Sequence, residues 1–419
     1  MNRVSTTLAA AAIGAGLAVT TMAAPALAVP SQDGVRAVHA RDSVQRGHVV
    51  SAVHVRGFTA KQVRAWLAGD DFDVSSVRYG VDAYQVVYRT VDARKRPTTA
   101  SGLLVLPRNH QRHLRTVSYT HGTMSYKPDA PSMFSDVWGP GPAVTYAAAG
   151  FAAVAPDYLG LGKGPGVHPW KHVASETTAS LDMLRAARRA VVRTGRTLDR
   201  DVLVTGFSQG ASSALGLARA LQYDRWFRVR AVAPIAGGYD FRGAQLPAML
   251  SDEVPSPLPP KLAVAYTSYL LTSWNRVYGL YDSPSELFQA PYADRVERFF
   301  DGTTPGQEML AGLPGTLDEL LTKDGFAMLR EPSGRFAEAL RRDEVCSGWT
   351  PRAPLRLYKI SRDEQAVTAN TDHCRDAFAA SGADVPVVDV GERTYGESRH
   401  LGANVAGTAM IARWFATLG

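Results

Sequence analysis

Cysteine is nearly absent: the 419 residues contain two, Cys346 and Cys374. Two thiols at that spacing supply no ligand cluster, so a cysteine-held metal is not expected, and cysteine is not the expected nucleophile. Long apolar runs are absent after the first thirty residues. Nothing there approaches the roughly 18 uninterrupted apolar residues of a membrane span, which argues against a transmembrane segment. Charge is not gathered by sign: 46 Lys and Arg against 39 acids leave a net +7, but the two signs are interleaved. Without a basic stripe carrying interleaved aromatics, no nucleic-acid partner is expected. There is no internal repeat, no low-complexity tract beyond the N-terminus, and no signal that fixes an oligomeric state.

What is present starts at the N-terminus. Arg3 precedes an apolar, small-residue stretch from Leu8 to Val19, and Ala26-Leu27-Ala28 fits the small-x-small pattern of a cleavage site. This predicts a secretory signal peptide over 1–28 and an exported protein without a membrane anchor. An oxidising compartment then lets Cys346 and Cys374 pair as a disulfide.

The segment 31–73 reads as polar and irregular, apart from a helical signal at "TAKQVRAWLAG". "VDAYQVVYRTVDA" and "TTASGLLVLP" read as two strands joined by a turn through Lys95, Arg96 and Pro97. From "RTVSYTHG" onward apolar strands alternate with helices, including a helix over "SETTASLDMLRAARRAVVRTG" that Ser175 would cap and Gly195 would end. Such alternation predicts an α/β fold with a mostly parallel central sheet and helices on both faces. From Asp240 to Val345 the rhythm changes to Pro-rich turns and helical runs with no convincing strand, and the strands return with "LRLYKI" and "VPVVDVG". The expected layout is a core over 29–239 with an N-terminal extension, a helical insertion over 240–345, and the rest of the core over 346–419.

"VLVTGFSQGASSALGLARAL", Val202 to Leu221, places Ser208 between a strand and a helix, with Gly206 and Gly210 two residues to either side. A strand-to-helix corner of this kind exposes a hydroxyl above the sheet, and the small flanking residues let strand and helix approach: this is the pattern of a nucleophile elbow. A serine hydroxyl needs a general base, and the base needs an orienting acid, both expected after the serine in that topology. Asp363 follows "LRLYKI" within three residues and His400 follows "VPVVDVG". Glu364, Asp372 and Asp389 are the other acids in reach of that role; Asp389, inside a strand, should point into the sheet. For the oxyanion of acyl transfer, the N–H of Gln209 at a helix N-terminus and that of Thr123 in His121-Gly122-Thr123 are the candidate donors. His373 belongs with the helix beside Cys374. Asp157 and Tyr158, at a strand's carboxyl end, are candidates for fixing a loop or lining substrate.

With "HGT", "APDYLGLGKG", "GFSQG", the Asp363 loop and "SRHLG" in this order, the chain resembles the α/β-hydrolase superfamily over nearly its whole mature length. Within it, "APDYLGLGKG" is similar to the secretory lipase family, the group around fungal lipase A and its bacterial relatives. That resemblance implies a Ser208, Asp363, His400 triad, a helical cap over 240–345, and hydrolysis of a small-molecule or lipid carboxylic ester without a metal or organic cofactor. The cap residues Tyr266, Tyr269, Leu270, Leu271 and Trp274 would then form either an apolar substrate pocket or cap core. Three other readings stay open: a serine aminopeptidase, with Glu286 or Glu253 holding the substrate amine; a polyester-degrading enzyme; and a non-catalytic binding protein on the same fold.

Overall fold

The computed structural model describes residues 45–251, 253 and 257–418, and the expected signal peptide over 1–28 lies outside them. Nine strands form the sheet: β1 (Val49–Phe58), β2 (Val81–Val91), β3 (Pro97–Pro107), β4 (His113–Thr120), β5 (Ala152–Pro156), β6 (Thr197–Phe207), β7 (Arg228–Ile235), β8 (Leu357–Lys359) and β9 (Val387–Asp389). Their order is β1-β2-β3-β5-β4-β6-β7-β8-β9. The β1–β2, β2–β3 and β3–β5 pairs are antiparallel and all pairs from β5 to β9 are parallel.

The strand side chains alternate between two apolar layers, as the period of a strand requires. Val202 and Val204 of β6 join one layer, while Leu203 and Phe207 join the other. The first layer is covered by α3 (Val173–Val191), α4 (Gln209–Leu221) and α12 (Ala369–Ala380); the second by α1 (Ala60–Ala68), α2 (Gly141–Ala148) and α13 (Arg399–Ala416). Helices therefore lie on both faces of a mostly parallel sheet, the α/β arrangement expected.

Between β7 and β8 the chain forms α5 (Leu246–Met249), α6 (Pro260–Tyr278), α7 (Val296–Phe299), α8 (Gly306–Gly312), α9 (Leu317–Leu320), α10 (Lys323–Arg330) and α11 (Gly334–Asp343). These helices have an apolar cluster of their own around Leu270, Leu271, Trp274, Phe288 and Phe336. Cys346 and Cys374 are joined by a disulfide, with their Cα atoms 5.1 Å apart. Among the described residues no helix is long and apolar enough to cross a membrane.

Several local expectations are corrected. The 31–73 segment is not irregular apart from a helix, because β1 pairs along its length with β2 at the sheet edge. Ser175 does not cap α3: the helix starts at Val173, and the Ser175 hydroxyl donates back to His172 O at 3.0 Å. "LDELLTKDGFAML" is two helices, because Thr322 leaves the helical path and accepts from Gly325 N at 3.1 Å as the cap of α10. Asp389 does not point into the sheet; it is exposed and accepts hydrogen bonds from Ser361 and Gly391.

Candidate active site

Ser208 stands between β6 and α4 with φ +55° and ψ −119°, outside the regions an L residue adopts freely. The crossing is tight. A Cβ at Gly206 would fall 2.1 Å from Thr120 Oγ and 2.2 Å from Gly210 O, and one at Gly210 would fall 2.0 Å from Thr120 O. Both positions need hydrogen in place of a side chain, and Ser208 N is pinned by a 2.9 Å bond to Ile235 O. The hydroxyl is thereby held at the carboxyl end of the sheet.

His400 is the second residue of α13, whose N-terminus is capped by Ser398 accepting from Leu401 N at 3.1 Å. Its Nε2 lies 2.9 Å from Ser208 Oγ, and its Nδ1 lies 2.9 and 3.0 Å from the two oxygens of Asp363. Asp363, on the loop after β8, is held in turn by the N–H groups of Gln365 and Ala366, both at 2.9 Å. Glu364 turns away to the backbone: it accepts from His400 N at 3.2 Å and from the Ser398 hydroxyl. Burial acts to raise its carboxyl, but these hydrogen bonds outweigh it and hold the pKa below the usual range. Asp372 pairs with Arg375 on α12, far from this role. The structure thus brings Ser208, His400 and Asp363 into one hydrogen-bonded line and leaves Glu364, Asp372 and Asp389 out of it.

Thr123 and Gln209 both border the cleft beside Ser208, and among the described residues neither backbone N–H has an acceptor. The Thr123 hydroxyl accepts from Trp170 Nε1 at 3.0 Å. Trp170, Lys171, Phe241, Gln245, Tyr266 and Gln365 complete much of the cleft wall, around a cavity of about 30 Å³. Of the five aromatic and aliphatic residues singled out on α6, Tyr266 alone faces this cleft. Its hydroxyl donates to Gln365 Oε1 at 2.6 Å, and its ring stacks on Trp170. Tyr269 donates to Met124 O, while Leu270, Leu271 and Trp274 are buried in the cluster of the helical segment.

Lys171 has no counterpart in the sequence expectations. Its buried ammonium donates to Ser212 Oγ and Gly238 O, both at 3.0 Å, and pairs with Asp343 at 3.1 Å. The partners come from three separate stretches of chain, so no local pattern announces them. Asp157 is buried and accepts from Ser101 Oγ at 2.6 Å and from both the N–H and the hydroxyl of Ser132, which ties the loop after β5 to its neighbours. Burial raises its carboxyl against those bonds. His373 bridges Glu344 at 3.2 Å and Asp240 at 3.4 Å. Glu286 is exposed and bonded to the backbone of Ser283, and Glu253 is exposed beside a different groove, so neither reaches the Ser208 cleft. Among the described residues there is no cluster suited to a metal ion.

The fold has counterparts among solved structures. The rice cell wall degrading esterase LipA from Xanthomonas oryzae superposes with a TM-score of 0.77 at 25% identity, covering 89% of this chain and 98% of that one. The chain is an α/β-hydrolase. Lipase A from Candida antarctica shares the fold at a TM-score of 0.60 and 14% identity, over 83% of this chain and 77% of that one. Its closed state matches at 0.59 and 15%, over 82% and 76%. No protein-family model matches this α/β-hydrolase, and no curated protein does.

Proposed function

We propose that the protein is an exported serine hydrolase that cleaves carboxylic esters through an acyl-enzyme. The chain is a carboxylic ester hydrolase, as its likeness to esterase and lipase structures supports. One observation carries the mechanism: the unbroken line from Ser208 Oγ through the His400 ring to Asp363, with both links at 2.9 Å. Ser208 attacks the ester carbonyl while His400 Nε2 takes its proton; His400 then protonates the leaving alcohol, and Asp363 holds the imidazole in the tautomer that accepts at Nε2. Water deprotonated by His400 releases the acid and restores the serine.

The N–H groups of Gln209 and Thr123 meet the developing oxyanion, and the start of α4 adds its positive dipole end. The helical segment over 240–345 acts as the cap, contributing Tyr266 and Phe241 to the cleft. Export rests on the N-terminal pattern over 1–28 and agrees with the disulfide. A substrate with a free amine is disfavoured, since Glu253 and Glu286 stand away from the cleft.

The test is hydrolysis of a p-nitrophenyl ester series from acetate to palmitate beside aminoacyl p-nitroanilides, with Ser208→Ala as control. Ester cleavage that falls by at least about 10³-fold in the variant is the expected result. Undiminished cleavage by Ser208→Ala, or cleavage of anilides in place of esters, would sink the assignment.

A further inference from the structure

Behind the nucleophile lies a buried polar cluster that the acyl-transfer steps do not use. The Gln209 side chain donates from Nε2 to Glu176 Oε1 at 2.7 Å and to His168 Nε2 at 2.8 Å. His168 Nδ1 lies 3.0 Å from Leu159 O, so the ring proton sits on Nδ1 and leaves Nε2 to accept. Burial keeps that ring neutral, with its pKa pushed down to about 3. The second carboxylate oxygen of Glu176 accepts from Ser213, one turn further along α4. One carboxylate on α3 thus grips the first turn of α4 at two points.

The cluster continues to the loop that carries Thr123. The Tyr158 ring stacks on His168 at 5.5 Å between centroids and 8° between planes, and its hydroxyl donates to His121 O at 3.0 Å. His121 opens the His121-Gly122-Thr123 turn. Glu176, His168, Tyr158 and Gln209 are each at most 3% exposed. Burial raises the pKa of the Glu176 carboxyl to about 7, against the Ser213 bond, the Lys171 charge and the Gln209 bond; burying such a group costs stability that a well-packed apolar side chain would not, so what it supplies here is geometry.

We propose that Glu176, His168 and Tyr158 are positioning residues that aim the Gln209 and Thr123 N–H groups at one point in front of Ser208 Oγ. The inference rests on the acyl-enzyme reading above. The chemistry needs it: an oxyanion donor works at about 2.7–3.1 Å from the developing charge, and a site loosened by a fraction of an ångström loses much of that stabilisation. Gln209 carries one donor on its backbone and the grip on its side chain, while Tyr158 holds the turn that carries the other.

The experiment compares Glu176→Gln, His168→Phe and Tyr158→Phe with the parent protein in steady-state hydrolysis of p-nitrophenyl acetate. Inhibition by a trifluoromethyl ketone, whose serine adduct carries the oxyanion, is measured alongside, with circular dichroism to verify folding. Expected is a loss in kcat of about tenfold or more, KM within about twofold, and a rise in the ketone's inhibition constant that matches the loss in kcat/KM. Tyr158→Phe removes a single oxygen and keeps the test open if either other variant fails to fold. If the folded variants keep kcat and ketone affinity within about twofold, or lose only in KM, while Ser208→Ala is inactive, the positioning role is wrong and the acyl-enzyme reading stands. Activity in Ser208→Ala, or no esterase activity in the parent protein, overturns the underlying reading and this inference with it.

Discussion

Asp363 and Glu364 are adjacent acids, and their difference in role comes from the turn between them. Asp363 is clasped by two N–H groups of its own loop and aimed at the imidazole. Glu364 is spent on the amide of His400 and the Ser398 hydroxyl at the start of α13. Asp363→Asn should therefore lower kcat by about 10⁴-fold with KM little changed, because the amide favours the wrong imidazole tautomer and Glu364 is not free to replace it. A loss under tenfold, accompanied by inactivity of Glu364→Gln, would move the acid to Glu364. The residues of this line were legible in the sequence because topology sets their chain order after the serine, each just past a strand. Lys171, Glu176 and His168 were not, since what marks them is burial against side-chain hydrogen-bond and ion-pair partners 33 to 172 residues away (Glu176 to Gln209 is 33, Lys171 to Asp343 is 172).

At the scale of elements, α4 was readable to the residue, because a glycine-flanked corner starts it and an apolar face runs through Leu221. β1 was not, because it is an edge strand whose valines are partly in water: Val50 and Val53 are both 55% exposed, so no buried face stands out. The long helix α6 was equally plain, but its apolar face mixes packing with lining. Of Tyr266, Tyr269, Leu270, Leu271 and Trp274 only Tyr266 meets the cleft. A period of 3.6 marks a buried stripe without saying what covers it. This gives α6 a direct test. The cleft beside Ser208 is narrow and the Tyr266 ring forms part of its wall, so the parent enzyme should favour short esters over long ones. Tyr266→Ala removes the ring that stacks on Trp170 and the hydroxyl bonded to Gln365, and should shift the preferred acyl chain toward butyrate or longer. A parent optimum at long chains would show that α6 does not bound the acyl site.

For the molecule as a whole, the question is how a helical segment inserted between β7 and β8 is held to the sheet where the chain returns. The ties cluster at its two ends. His373 on α12 meets Asp240 at the start of the segment and Glu344 at its close, and Lys171 meets Asp343. The disulfide lies beside them, and the 28-residue span between Cys346 and Cys374 contains both β8 and Asp363. Closing a loop of that length removes disorder from the unfolded chain worth about 3–4 kcal/mol. Cys346→Ser with Cys374→Ser should therefore lower the melting temperature by about 4–5 °C. It should leave kcat at 25 °C within a fewfold of the parent, because the bonds that aim Asp363 at His400 come from its own loop and not from the sulfurs. Both cysteines are wholly buried, so mild reductant added to the folded parent should act slowly, and should leave the double variant's melting curve unchanged. Calorimetry beside steady-state rates decides it. An unchanged melting temperature would mean the noncovalent ties alone hold the segment's return, and a collapse of kcat without unfolding would make the disulfide part of what positions Asp363.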